Sequence, residues 1–200
     1  TRGGRLEDVL RGIARAEEIG FSPIKINTVA IKGFNDDEAL DFARLAQEQP
    51  FQVRFIELMP VGKTTLDYGE DYMPGSQLIK IIRQRYALEP LKNKKNRSDG
   101  PAKIFKIKGG RGEIGFINPV SDHFCSTCNR MRLTSDGKLR ACLLNEAEVD
   151  LKKALRENCS DAELEKLIWD AVLLKPRQHD IVCTENSLRK CSRNMSEIGG

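Results

Sequence analysis

Two short segments rich in β-branched residues flank one helical segment near the start of this 200-residue chain. Residues 23–31 and 51–58 have the alternation of strands, and residues 38–47 between them have the periodicity of a helix. Two strands joined by such a helix pair in parallel, because the chain crosses over the sheet before the second strand begins. The pattern therefore predicts an α/β architecture for the first third of the chain.

Side-chain alternation along these two predicted strands separates a polar face from an apolar face. Lys25 and Asn27 share one side of the first strand. Arg54 lies on the opposite side of the second strand from Val53 and Phe55. We expect the polar side chains to share one face of the sheet and the apolar ones to enter the core.

The remaining segments predict an α+β arrangement that begins between Pro60 and Pro74. In the first part, a helix at 6–19 ends at Gly20, and Asn35 is placed to cap the helix at 38–47. After residue 74 the sequence predicts helices at 76–85, 149–157 and 161–174, strands at 102–108 and 113–118, a hairpin of 131–134 and 139–142 around the turn 135–137, and an extended tail from 176.

Composition limits the classes of protein to which the chain can belong. A hydrophobic share of 40% is ordinary for a globular protein with a buried core, and a net charge of +4 does not by itself indicate a nucleic-acid binder. The sequence has no apolar run long enough to cross a membrane and no signal peptide, so we expect a cytoplasmic protein with reduced cysteines. The start, without Met and almost directly in a helix, predicts a part of a longer protein.

Basic residues are concentrated between Lys80 and Arg111, where eleven Lys and Arg residues accompany two acidic residues. Most runs of this kind form a solvated face or a basic loop. The alternative is an electropositive rim beside an anionic substrate. Both interpretations stay open from the residues alone.

Three of the six cysteines have the spacing of a metal site. Cys125 and Cys128 are separated by two residues in a predicted loop, and Cys142 follows at the end of the predicted hairpin. Two thiolates at this spacing can chelate one centre, and the hairpin can return the third thiolate to it. Cys159, Cys183 and Cys191 lack such spacing, and a packed thiol is the simpler interpretation for each.

Three kinds of site are compatible with these cysteines. Structural zinc prefers four closed ligands and would recruit His123 or Cys159 as the fourth. A four-iron cluster usually has four thiolate ligands, and one held by only three would leave one iron open to a substrate atom. A disulfide with one spare thiol is the least favoured of the three in a reducing compartment.

Two arginines follow the paired cysteines at once. Arg130 and Arg132 alternate along a predicted strand, so both are expected to point the same way, close to the metal site. Guanidinium groups bind phosphate oxygens through paired hydrogen bonds, which indicates an anion clamp. A solvated strand face is the plainer alternative.

The segment CSTCNRMRLTSDGKLRACL at 125–143 resembles the C-terminal cluster segment of GTP 3′,8-cyclases, which are radical-SAM enzymes of molybdenum cofactor biosynthesis. Four further stretches agree in order along the chain: RGG at 2–4, IKINTVAIKGFND at 24–36, FIELMPVG at 55–62 and IGG at 198–200. The resemblance thus extends from the first residue to the last.

This resemblance implies a fold and an activity. It implies the C-terminal part of a partial radical-SAM (β/α) barrel at 1–73 and an α+β iron–sulfur and GTP-binding domain at 74–200. In such enzymes an N-terminal four-iron four-sulfur (4Fe–4S) cluster on a CxxxCxxC motif cleaves S-adenosyl-L-methionine. The 5′-deoxyadenosyl radical then removes hydrogen from C3′ of GTP, and C3′ closes onto C8 to give 3′,8-cyclo-7,8-dihydro-GTP.

The resemblance also implies roles for individual residues. A second 4Fe–4S cluster would be held by three cysteines and would bind guanine through its open iron. The implied ligands are Cys125, Cys128 and Cys142; the implied GTP-binding residues are Lys25, Arg130, Met131 and Arg132; Met59 would belong to the S-adenosylmethionine pocket; and Arg54, Gly199 and Gly200 would be catalytic.

One departure from the family pattern is large, since this sequence contains no CxxxCxxC motif. We therefore expect the chain to be inactive without a missing N-terminal half. Implied partners are GTP and, downstream, cyclic pyranopterin monophosphate synthase; a homodimer is left open, and neither a membrane nor a nucleic acid is expected. The alternatives are a zinc-stabilised basic module that binds nucleotides or RNA, for which 6% aromatic residues offer little base stacking, and a degenerate non-catalytic subunit.

Overall fold

The computed structural model describes residues 3–62, 66–91, 100–179 and 191–199. The chain forms two compact units, of which the first comprises Thr1–Leu58 and Tyr72–Ser121, and the second Met59–Asp71 and Asp122–Gly200. The predicted boundary at 73/74 follows from the family resemblance, whereas these two units are defined by contacts within the structure. The predicted boundary stays a prediction.

The described residues form seven α-helices and eight strands. The helices are α1 (Leu6–Glu18), α2 (Ala39–Glu48), α3 (Tyr68–Asp71), α4 (Gly75–Arg83), α5 (Leu151–Arg156), α6 (Asp161–Leu173) and α7 (Met195–Ile198). The strands are β1 (Ile24–Ala30), β2 (Phe51–Glu57), β3 (Leu88–Pro90), β4 (Lys103–Ile107), β5 (Glu113–Ile117), β6 (Arg132–Leu133), β7 (Lys138–Arg140) and β8 (Glu148–Asp150). No described helix has the length and apolar character that a membrane span requires.

The first unit contains a five-stranded mixed sheet in the order β1-β2-β5-β4-β3. β1 and β2 pair in parallel through the crossover helix α2, which confirms the predicted parallel pair and the α/β class. β5 joins β2 in parallel, and β4 and β3 continue the sheet in antiparallel fashion.

One face of this sheet forms the hydrophobic core with α2 and α4. Val53, Phe55 and Phe116 are buried on it, as the alternation predicted, and the rings of Phe55 and Phe116 stack with centroids 5.7 Å apart. Helix α2 contributes buried alanines at three positions of one face, and their small side chains allow close approach to the sheet. These alanines are Ala39, Ala43 and Ala46.

The predicted helix cap at Asn35 is wrong. The Asn35 side chain accepts a hydrogen bond from the backbone N–H of Ile31 (2.8 Å) and donates one to the carbonyl of Val29 (2.9 Å). Helix α2 begins after Glu38, which makes no side-chain cap. Asn35 therefore closes the loop that follows β1, an alternative open to any Asn side chain near exposed backbone groups.

The second unit contains a three-stranded antiparallel sheet in the order β6-β7-β8. The predicted hairpin around 135–137 is confirmed, although its strands are shorter than predicted. The predicted helix at 149–157 begins later, because 148–150 pair with β7 as a strand. The side chain of Asp150 then caps α5 by accepting the N–H of Lys153 (2.8 Å).

The described part of the tail is folded, so the prediction of an extended tail is wrong for residues 191–199. Helix α7 begins with a capping box, in which the side chains of Asn194 and Glu197 exchange hydrogen bonds with each other's backbone N–H. Ile198 at its end is fully buried. Burial of this one large side chain gives the segment an apolar anchor.

Candidate functional site

The two closely spaced cysteines lie at the ends of a single tight turn. Cys125–Thr127 form one turn of 3-10 helix, and the N–H of Cys128 bonds to the carbonyl of Cys125 (3.2 Å). The hydroxyl of Thr127 donates to the carbonyl of Phe124 (3.2 Å), which supports the same turn. Both cysteines are half-buried. The two-residue spacing therefore becomes a compact loop that can present two thiols together.

Lys175 connects the segments that carry Cys128 and Cys142. Its ammonium group donates to the carbonyl of Arg130 (2.7 Å) and to that of Ala141 (2.8 Å). One cation thus ties the chain just after the tight turn to the chain just before the third cysteine. Sequence reasoning missed this residue, because nothing in the pattern around position 175 indicates a partner 34 residues earlier.

The surroundings of Cys128 favour its thiolate form. Partial burial opposes ionisation, but hydrogen bonds from the backbone and side chain of Arg130 outweigh it, so the pKa of Cys128 lies below its usual value. The charge of Lys175 acts in the same direction. A thiol that ionises readily is also the better metal ligand, since metals bind the thiolate.

Arg132 interacts electrostatically with two of the predicted ligands. Burial lowers the pKa of its half-buried guanidinium, as does the charge of Arg130, while Cys142 and Cys128 act in the opposite direction. The guanidinium of Arg132 is therefore close enough to both cysteines to feel their charge. It also donates a hydrogen bond to the backbone carbonyl of Gly199.

The predicted meeting of three sulfur atoms stays a prediction. Within the ranges that the structure describes, no three His, Cys, Asp or Glu side chains are arranged to hold one metal ion. Cys125, Cys128 and Cys142 are free, half-buried thiols. The donor chemistry fits an iron–sulfur cluster or zinc, since both favour thiolate ligands.

His123 and Cys159, the residues predicted as a fourth zinc ligand, and the two remaining cysteines have separate surroundings where the structure describes them. The ring of His123 lies edge-on against that of His179, with centroids 5.3 Å apart. Cys159 lies in the short connection between α5 and α6, where its N–H bonds to the carbonyl of Ala154 (3.1 Å). Cys191 is buried beside Arg140 (3.4 Å from Sγ to Nη2), and Cys183 falls outside the described residues.

Arg130 and Arg132 are not related by strand alternation, which corrects that prediction. Strand β6 begins at Arg132, so Arg130 precedes it, with the half-buried Met131 between them. The guanidinium of the exposed Arg130 instead lies over the ring of Phe124, 4.9 Å from its centroid. This cation–π contact supports the arginine beside the tight turn.

In the first unit, polar residues line the sheet face opposite the core. Lys25 pairs in register with Gln52, and Asn27 pairs with Arg54, so all four positions share one face. The buried Arg54 donates from Nε to the side-chain oxygen of Gln52 (2.6 Å), and Gln52 donates to Glu113 (2.7 Å). This relay of three side chains on the adjacent strands β2 and β5 holds the guanidinium in place, and the alternation did not reveal its second and third members.

Gly115 makes room for Arg54 on the neighbouring strand. The two residues are register partners in the parallel pair of β2 and β5. A Cβ atom at Gly115 would lie 3.1 Å from Cγ of Arg54 and 2.9 Å from Cδ1 of Ile104. A side chain there would push against both neighbours, so the glycine leaves the space in which the Arg54 side chain lies.

Met59 lies just after β2, and its segment is joined to the tail. Met59 is half-buried, and its carbonyl accepts the N–H of Val61 (2.8 Å). Cys191 then pairs with this segment through the carbonyl of Pro60 (3.0 Å) and the N–H of Gly62 (2.9 Å). The predicted role of Met59 in binding S-adenosylmethionine stays a prediction.

The tail ends against the hairpin that carries Arg132. The N–H of Ser135 bonds to the carbonyl of Glu197 (3.0 Å), and Gly199 follows with a φ of 71°. A Cβ at Gly199 would lie less than 3.0 Å from the carbonyl oxygen of Leu133, so only glycine fits there. Gly200 lies outside the described residues.

The chain thus combines an α/β unit with a second unit that carries the closely spaced cysteines, and its sequence was compared with those of known protein families. The chain belongs to the family described as Molybdenum Cofactor Synthesis C, which matches residues 51–181. The predicted resemblance is thereby confirmed.

Similar proteins from several organisms are named GTP 3′,8-cyclase. Over 200 residues the chain is 48% identical to a GTP 3′,8-cyclase of Moorella thermoacetica and 44% identical to one of Syntrophomonas wolfei. A GTP 3′,8-cyclase of Listeria monocytogenes is 40% identical over 205 residues. Each match covers 100% of this chain, and the chain spans about 60% of the length of these relatives.

Proposed function

We propose that this chain forms the GTP-binding and second-cluster part of a GTP 3′,8-cyclase in molybdenum cofactor biosynthesis. The observation that carries the proposal is the position of Arg132, which feels the charge of Cys128 and Cys142 and bonds to Gly199. A guanidinium that interacts electrostatically with two cysteines and bonds to the docked tail suits a site that takes both a metal cluster and an anionic nucleotide.

Cys125, Cys128 and Cys142 would hold a 4Fe–4S cluster in this proposal. When bound on three thiolates, such a cluster supplies one open iron as a Lewis acid for an atom of guanine. The protein favours the thiolate of Cys128 through Arg130, and Lys175 keeps the two cysteine segments adjacent. These contacts support a soft-metal site on this part of the chain.

Arg130 and Arg132 would bind the triphosphate, with Met131 beside them. Arg130 is exposed and supported by Phe124, so its guanidinium can reach a ligand, while partial burial of Arg132 strengthens its bond to an anion. Lys25 and Arg54 would contribute positive charge from the polar sheet face. We propose that all four cations contribute to GTP binding in the complete enzyme.

The parallel strands β1, β2 and β5 would be a segment of the radical-SAM (β/α) barrel. Their apolar face packs on α2 and α4, and their other face carries Lys25, Gln52 and Arg54. Apolar packing outside and polar groups inside suit a barrel whose mouth binds a charged substrate. S-adenosylmethionine, with Met59 in its pocket, and the other 4Fe–4S cluster belong to this proposal for the complete enzyme.

The alternative, a zinc-stabilised module that binds nucleotides or RNA, is not favoured, since the family and the relatives indicate the cyclase. The basic run at 92–97 lies outside the described residues. The homodimer, the downstream synthase and the cytoplasmic location stay predictions.

The cluster is tested by metal analysis of anaerobically prepared protein. We expect about four irons per site, lost on Cys125→Ser, Cys128→Ser or Cys142→Ser and retained in the matched control Cys159→Ser. Iron, acid-labile sulfide and the electron paramagnetic resonance signal of the reduced cluster are measured together. One zinc per chain without iron would establish the alternative instead.

GTP binding is tested in the complete enzyme by calorimetry. Loss of a charge-assisted contact in Arg130→Ala or Arg132→Ala should weaken binding about tenfold or more. The exposed Arg177→Ala serves as control. Unchanged affinity in both variants would contradict the anion-binding role.

A further inference from the structure

Arg193, near the start of the described tail, binds two carboxylates at once. Its guanidinium makes paired contacts with Asp136, at 3.1 Å from Nη1 and 3.0 Å from Nη2. It makes a second pair with Glu148, at 2.7 Å from Nε and 2.8 Å from Nη2. Asp136 lies in the turn of the β6–β7 hairpin and Glu148 begins β8, so one side chain joins the tail to two parts of the sheet.

The acceptors of Arg193 are themselves held in place by the sheet. Arg140, which is fully buried, donates from Nη1 to Glu148 (2.9 Å), and Lys138 lies 3.6 Å from the same carboxylate. The hydroxyl of Thr134 bonds to Asp136 (2.6 Å). Both carboxylates are therefore oriented by residues of the hairpin as well as by the tail.

The electrostatics of the pair agree with its geometry. The bond to Arg193 is the main cause of a pKa of Asp136 below its usual range, and the bond to Thr134 adds to it. In turn, Asp136 and then Glu148 raise the pKa of Arg193. Each partner thus favours the charged form of the other.

Arg193 is connected to the end of the tail by a short, ordered path. The next residue, Asn194, caps helix α7, and Ile198 at the end of that helix is fully buried. Gly199 follows directly and accepts a bond from Arg132. A single capped turn therefore separates the ion pairs of Arg193 from Gly199.

We propose that Arg193 is a positioning residue, whose ion pairs with Asp136 and Glu148 hold the Gly199 carbonyl at Arg132. We call these two pairs the tail latch. The inference rests on the proposed function, because that function places the nucleotide site around Arg132, which the latch would help to arrange. Arg193 itself touches none of the proposed cluster or GTP ligands among its described contacts.

Hydrogen exchange of the chain tests the latch without any cofactor. In Arg193→Gln we expect amide protection of residues 195–199 to fall about tenfold or more, as loss of charge-assisted bonds requires, while α6 stays protected. Arg193→Lys keeps the charge but not the paired contacts, so its amide protection should lie between that of the unchanged protein and that of Arg193→Gln. The control Arg177→Gln should leave protection unchanged. Equal protection in Arg193→Gln and the unchanged protein would overturn the proposal.

Turnover of GTP by the complete enzyme tests the purpose of the latch. We expect Arg193→Gln to lower kcat while the iron content stays normal. The double variant Arg193→Gln, Asp136→Asn should have the same kcat as Arg193→Gln alone, because both substitutions remove one contact. Reduced tail protection with unchanged turnover would overturn the positioning role. Reduced tail protection in an enzyme whose unchanged form does not convert GTP would leave the latch standing and refute the proposed function.

Discussion

The side chain of Arg132 donates a hydrogen bond to the backbone carbonyl of Gly199, 67 residues later in the chain. The same guanidinium lies within the electrostatic reach of Cys128 and Cys142. One residue therefore relates the docked tail to the cysteine segment, within a single compact unit.

Gly199→Ala should displace the end of the tail. Its φ of 71° disfavours any side chain, and its Cβ would collide with the carbonyl oxygen of Leu133. We expect faster hydrogen exchange at Ser135, whose N–H bonds to the tail. Gly109→Ala is the matched control, since Gly109 has a φ of 75° but open space around it. Equal effects on Ser135 would mean that the collision is unimportant.

Lys175→Met should loosen the cysteine segments while keeping a side chain of similar length. The variant removes two charge-assisted bonds, to the carbonyls of Arg130 and Ala141. We expect iron to be lost to a chelator faster than from the unchanged protein. Lys166→Met, at an exposed position of α6, is the control. Identical rates of iron loss would show that Lys175 does not support the site.

Glu57→Leu should strongly destabilise the first unit. The buried carboxylate accepts the N–H groups of Gly75 (2.9 Å), Val120 (3.1 Å) and Ser121 (3.0 Å), and the hydroxyl of Ser121. Leucine leaves these buried donors without an acceptor, so the free energy of unfolding should fall by roughly 3 kcal/mol or more. Denaturant unfolding measures this, with the exposed Glu48→Leu as control. A loss as small as that of the control would contradict the anchoring role.

Asp136 should make stability depend on pH in the acid range. Its folded pKa lies below the ordinary value of 3.8, so the folded state binds fewer protons than the unfolded state. Its contribution is complete above that value and is lost as the pH falls towards the folded pKa. Arg193 and Lys138 are the charged groups that face it.

Asp136→Asn should therefore flatten the fall of the unfolding midpoint below about pH 4, because the variant has no proton to gain. Urea unfolding at several acidic pH values measures the slope. Glu165→Gln, at an exposed position of α6, is the control. A slope equal to that of the unchanged protein would show that the pair with Arg193 contributes nothing to folding.

The local sequence pattern alone was sufficient to predict the parallel pair of β1 and β2, the crossover helix between them and the hairpin of β6 and β7. Periodicity and turn residues act over a few neighbouring positions, so the sequence displays them directly. The same locality explains the error at Asn35, whose side chain had several backbone groups within reach and bonded to β1 rather than to α2.

The family and the cysteine motif could also be inferred from the sequence, because both depend on residue identity and spacing. Only the tertiary structure decided which residues support them. Lys175 reaches the carbonyl of Ala141, Arg193 reaches Asp136, and Glu57 reaches Ser121, across 34, 57 and 64 positions of the chain. The spacing of residues in the sequence does not predict such contacts, because they form only when distant segments of the chain pack together.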